Sequence, residues 1–115
     1  MEDSLMDQQV SANQRLIHVA YFWLTNPDSI ADRDTLLAGL NSLRDIPGIE
    51  AVYIGLPAST ENRDVVDNSF QVSELMIFRD IEAQNVYQEH PVHKQFVKEC
   101  EHLWERVVVH DSIAV

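Results

Sequence analysis

The chain has one cysteine, three glycines and four prolines among its 115 residues, and 8 basic residues against 19 acidic ones. Each shortage excludes something. A single cysteine cannot close an intrachain disulfide, and no Cys/His pattern has the spacing of a zinc site, so no metal is expected. A formal net charge of −11 repels phosphate backbones and anionic lipid headgroups, which argues against nucleic-acid and membrane partners. No apolar run approaches the roughly 20 residues of a membrane span. The acidic start MEDSLMDQQ has neither the basic nor the apolar region of a signal peptide, so a cytoplasmic location is the expectation. What the chain does have is a hydrophobic fraction of 45%, far above that of a disordered sequence, and enough length for one modest core.

Residues 1–15 are polar and aperiodic and read as a flexible tail, which leaves residues 16–113 as a single domain. LIHVAYFWL, residues 16–24, is rich in β-branched and aromatic residues and stops at Asn26-Pro27, as a strand buried on both faces would. Ser29 with Asp32 approximates a capping box. Leu36, Leu37, Leu40 and Leu43 then recur on one helical stripe that ends near Pro47-Gly48. IEAVYIGL (49–56) predicts a second strand, Ser59–Asn68 a long loop, and FQVSELMIF (70–78) a third strand. A short helix is expected over Ile81–Glu89. From Pro91 a second stripe, Val92, Phe96, Val97, Cys100, Leu103 and Trp104, predicts another helix before RVVVHD closes as a fourth strand.

Strand, helix, two strands, helix, strand is the order of the α+β, ferredoxin-like (split βαβ) arrangement, in which the helices cover one face of a four-stranded antiparallel sheet. Alternation on the first strand puts Ile17, Val19, Tyr21 and Trp23 on one side and His18, Ala20 and Phe22 on the other. Both sides are largely apolar, so a second sheet is expected on the face without helices. The economical form is a homodimer joined through its sheet faces, a dimeric α+β barrel.

The frame IHVAYFWL, then LLAGLNSLRDIPGI, then YQEHPVHKQF, then LWERVVVHD resembles the stress-responsive A/B barrel (Dabb) family over about residues 17–111. The resemblance implies a ferredoxin-like protomer that dimerises into an α+β barrel. Most members have no assigned reaction. One branch holds polyketide cyclases of the olivetolic acid cyclase type, which close a linear polyketide by aldol chemistry without a cofactor. The catalytic tyrosine and histidine of that branch fall here on Tyr87 and His93 of the YxxHPxH frame. A histidine opening the first strand matches His18, and an aspartate ending the last strand matches Asp111. Glu74 departs from the family, in which its position is usually apolar, and Val72 stands where many relatives carry histidine.

These residues also have a chemical reading of their own. Pro91 suits the first turn of a helix and pushes His90 out of the helical region. His93 then lies in that first turn, where unpaired N–H groups and the helix dipole oppose a positive charge, so a neutral imidazole is expected. A neutral imidazole accepts a proton, and the Tyr87 phenol can donate to a developing oxyanion. The blander alternative is that both merely satisfy local backbone groups. The first and last strands should be antiparallel neighbours, bringing Asp111 beside His18, either as an acid–base pair or only as a pin at the sheet edge. Parity sets Glu74 on the face of Val72 and Met76, toward the helices, unless a bulge turns it to solvent. A buried Glu needs a partner, and His18 or His93 is the expected one. Met76, Phe96 and Trp104 read as core residues that line a cavity if one exists. Cys100 reads as a small core residue, and His102 and His110 receive no role.

Three functions follow as expectations. The first is a cofactor-free cyclase, lyase or isomerase acting on a small carbonyl compound, with His93 as base, Tyr87 as oxyanion donor, and His18, Asp111 and Glu74 in support. The second is a small-molecule-binding or stress-protective dimer without turnover, and the third a monooxygenase-like dimeric barrel protein.

Overall fold

The first strand, β1 (Leu16–Leu24), is one of the two inner strands of a four-stranded sheet and hydrogen-bonds on both sides. Its burial alternates without a break, the even-numbered residues Leu16, His18, Ala20, Phe22 and Leu24 buried and the odd-numbered ones half-buried. That alternation is the two-residue period of a strand with one face under helices. The computed structural model describes residues 14–115, so most of the expected tail lies outside the described residues.

After β1 come α1 (Ile30–Asn41), β2 (Ile49–Gly55), β3 (Val72–Phe78), α2 (Ile81–Glu89), α3 (Pro91–Cys100), a short 3-10 turn (Glu101–Leu103) and β4 (Trp104–Ile113). The sheet order is β2-β3-β1-β4, with every pair antiparallel. This is the ferredoxin-like α+β fold. Leu36 and Leu40 of α1, Phe96 and Cys100 of α3 and Tyr87 of α2 close over Phe22, Val72, Met76 and Phe78 of the sheet to form the core. No helix among the described residues is long and apolar enough to cross a membrane.

Local chemistry sets the ends of these elements. The Ser29 hydroxyl caps α1 by accepting from the Asp32 N–H. The reciprocal half of the expected capping box is missing, because the Asp32 carboxylate accepts instead from the Asn26 side chain at 3.3 Å. α1 also stops earlier than its apolar stripe suggests. Leu43 and Ile46 lie in the turns that follow it, yet are 0% and 3% exposed. Gly48 then takes φ +95°, and a Cβ there would meet that of Ala83 at 2.7 Å. Only glycine meets both demands without strain.

Three expected boundaries shift. β2 ends at Gly55, and β3 begins at Val72, not at Phe70. Gln71 is instead held to β1, its amide donating to the Phe22 carbonyl and its side chain accepting from the Leu24 N–H. Trp104, expected on the last helical stripe, is the first residue of β4 and pairs with Leu24 at a register shift. The 3-10 turn carries the stripe past the end of α3 and delivers Trp104 to the same side of the sheet, against Phe22 and Phe96.

Candidate functional site

The two histidines of the YxxHPxH frame have separate placements. His90 ends α2 and starts α3: its backbone is extended (φ −66°, ψ 137°), Pro91 follows as the first helical residue, and its ring Nδ1 accepts from the Val92 N–H at 3.1 Å. It caps the helix. His93, one turn on, lies against Tyr87 with ring centroids 4.4 Å apart.

On the sheet, His18 sits opposite Asp111 in the β1–β4 register and diagonally across from Glu74, which pairs with Ala20 in the β1–β3 register. The register runs through Glu74 unbroken, so no bulge turns it outward. His18 Nδ1 lies 2.7 Å from Asp111 Oδ1, and its Nε2 lies 3.5 Å from Glu74 Oε1. His18 and Glu74 are 6% and 2% exposed. The Tyr87 ring packs edge-on to His18, with centroids 6.2 Å apart. Glu74 Oε2 is buried and has no hydrogen-bond partner among the described residues.

These environments set the protonation states. Burial works against a charge on His18, but the hydrogen bonds and attraction of Glu74 and Asp111 outweigh it and hold the imidazole above its ordinary 6.5. Burial, reinforced by repulsion from Glu74, pushes the Tyr87 phenol far above its ordinary 10.0. Burial also takes His93 below 6.5, against the pull of the Gln88 backbone and Glu74 and with the help of His18. Near neutrality the cluster therefore presents an un-ionised phenol on Tyr87 and an imidazole on His93 free to accept a proton, beside a His18 whose charged form its two acidic neighbours favour.

His18, Glu74, Tyr87, Gln88 and His93 form the polar end of a cavity of ≈ 160 Å³ between helices and sheet. Phe22, Phe96, Val97 and Trp104 supply apolar wall, as do Val107 and Val109. The two valines belong to β4, an outer strand, and are 41% and 45% exposed, which marks the side on which the cavity opens. Met76 is wholly buried but lies outside the lining, and Asp111 reaches the cavity only through His18. Gln88 was missed in the sequence, where a glutamine on a short polar helix looks like any solvated residue. Among the described residues no group of three or more His, Cys, Asp or Glu is arranged to hold a metal ion.

A larger hollow, ≈ 600 Å³, lies on the opposite face of the sheet, over Tyr21, Trp23, Phe70, Arg106, Val108 and His110. The Arg106 guanidinium covers the Trp23 ring there at 4.4 Å. Size alone would favour this hollow as the site. It holds none of the clustered groups around His18, however, so the smaller cavity is the candidate site.

A four-stranded antiparallel sheet with helices on one face, and a titratable cluster held between the two layers, defines a ferredoxin-like α+β protein with an internal polar cavity. The model of the stress responsive A/B barrel domain matches residues 16–114, and the chain belongs to that family. No curated protein matches it in sequence. Among solved structures it is similar to a hydroxynitrile lyase from Passiflora edulis, with a TM-score of 0.75 at 19% identity over 90% of this chain and 95% of that one. A Dabb family protein with a ferredoxin-like fold from Mesorhizobium loti gives 0.70 at 21% identity, covering 89% and 98%. A dimeric ferredoxin-like protein of unknown function from Thermobifida fusca gives 0.71 at 14% identity, covering 90% and 92%. At these identities the likeness is one of fold.

Proposed function

We propose that the protein is a homodimeric, cofactor-free lyase, cyclase or isomerase that moves a proton next to the carbonyl of a small compound. The observation that carries this reading is the pairing of a neutral imidazole, His93, with a protonated phenol, Tyr87, in ring contact at the polar end of one cavity. His93 takes the proton. The Tyr87 O–H donates to the oxygen on which negative charge develops, a bond worth most where water is scarce. His18, held by Asp111 and Glu74, supports the polar end of the cavity from the sheet side. That a protein of similar fold is named a hydroxynitrile lyase supports a lyase on this scaffold.

The dimer belongs to the same proposal. Ile17, Val19, Tyr21 and Trp23 of β1 are half-buried on the face without helices, and Tyr53 of β2 is 68% exposed there. A face this apolar is expected to be covered. A similar structure described as dimeric supports the same form.

Turnover of a panel of small aldehydes, ketones and polyketide-like carbonyl compounds tests the catalytic reading. His93→Ala and Tyr87→Phe are each expected to lower kcat by about 100-fold, the usual worth of one acid–base group or oxyanion donor. Wild-type rates in both variants would leave a ligand-binding dimer as the function.

A further inference from the structure

A cavity of this kind selects what it holds. An apolar cavity of about 150 Å³ takes up one benzene, so ≈ 160 Å³ between Phe22, Phe96 and Trp104 suits a molecule with one ring. The polar end narrows the choice further. Tyr87 presents a donor, and both His18 nitrogens already face carboxylates. One polar atom there is buried and has no partner among the described residues: an acceptor, Oε2 of Glu74, on a side chain 3% exposed that lines the cavity. A buried carboxylate oxygen without a partner is costly, and the group that relieves it must donate a hydrogen bond. A ligand carboxylate would instead meet two carboxylates facing a single imidazole, within a chain of net charge −11.

We propose that the cavity takes a single-ring, non-anionic molecule whose hydroxyl or amine donates to Glu74 Oε2, and that Glu74 is the residue that sets this preference. The claim rests on the catalytic reading only for the carbonyl that the same molecule would present to Tyr87 and His93. The donor requirement itself is a matter of binding. It distinguishes Glu74 from an apolar residue at the same place, which would accept the bare ring and leave the hydroxyl unpaired.

Calorimetric titration of the full chain with 3-hydroxyacetophenone, 3-aminoacetophenone and 3-methoxyacetophenone tests it. The three share ring and ketone and differ in the donor. The wild type is expected to bind the hydroxy or the amino compound about ten-fold or more tighter than the methoxy compound, the worth of a hydrogen bond to a charged group. Glu74→Leu is expected to remove the preference, and Glu74→Gln, which keeps the shape and loses the charge, to reduce it about three-fold or more. Equal wild-type affinities, a preference that survives Glu74→Leu, or no saturable binding of any of the three would each overturn the proposal. If Glu74→Leu does not fold, as judged by its thermal melt, an undiminished preference in Glu74→Gln overturns it. Affinity is read without turnover, so the two readings fail separately: donor preference with no turnover rejects only the catalysis, and turnover with no donor preference rejects only the role of Glu74.

Discussion

His18 and His93 carry the same side chain in one cavity and are pushed in opposite directions, His18 by two carboxylates and His93 by burial. Nuclear magnetic resonance titration of the ring protons should find one histidine titrating above 6.5 and another below it. Asp111→Asn should bring the higher one down while the lower one moves little. The effects on stability have opposite signs as well. His18 binds its proton more tightly in the folded chain, so its contribution is full below about pH 6.5 and is lost as the pH rises through the folded value. His93 prefers to be neutral when folded, so its contribution is present above about pH 6.5 and is lost as the pH falls through its lowered value. In urea melts the stability gap between wild type and Asp111→Asn should therefore shrink as the pH rises through the folded His18 value. At this scale much was legible: strand parity sends His18 and Glu74 to one face, and antiparallel pairing brings Asp111 beside His18. The roles of the motif histidines were less so, because HPxH does not say that His90 is spent on the Val92 N–H. Likewise, nothing in the sequence distinguishes Gln88 from its solvated neighbours.

Elements end where a local group stops them, and the clearest stops are the best tests. Ser29→Ala removes the α1 cap and should cost about 1 kcal/mol in urea denaturation. Gly48→Ala should cost more, about 1–3 kcal/mol for the backbone strain alone, with the close approach to Ala83 added. A further tight approach joins α1 to α3, where a Cβ on Gly39 would stand 2.7 Å from Cys100 Sγ. That contact accounts for a small residue at each of the two positions. Strand β1 and helix α2 have the ends read from the sequence, since periodicity and punctuation agree there. The end of α3 does not, because KECEHLWE contains neither glycine nor proline and its apolar spacing runs on through the 3-10 turn. The end of α1 was obscured similarly, by a buried Leu43 that keeps the helical stripe alive beyond Asn41.

For the whole molecule, the helices lie on one side of the sheet and leave the other side apolar. If that side is the subunit interface, Tyr53→Asp combined with Val108→Asp places charge in it without touching the helix-covered core. Light scattering after size exclusion should then give twice the chain mass for the wild type and a single chain mass for the variant, with the thermal melt of the variant showing that it still folds. A variant that remains dimeric would move the interface elsewhere. The apolar open face was visible in the alternation of β1, whereas the hollow beneath the 56–71 segment was not, since a long polar loop gives no sign of where it folds back. His18 and the two acidic groups beside it come from three different strands, and a slip of one residue in β1 would turn its imidazole to the far side of the sheet. The candidate site is thus assembled by register itself: a chain misaligned in β1 does not bring these groups together, and correct pairing of the strands proofreads the cluster before any ligand arrives.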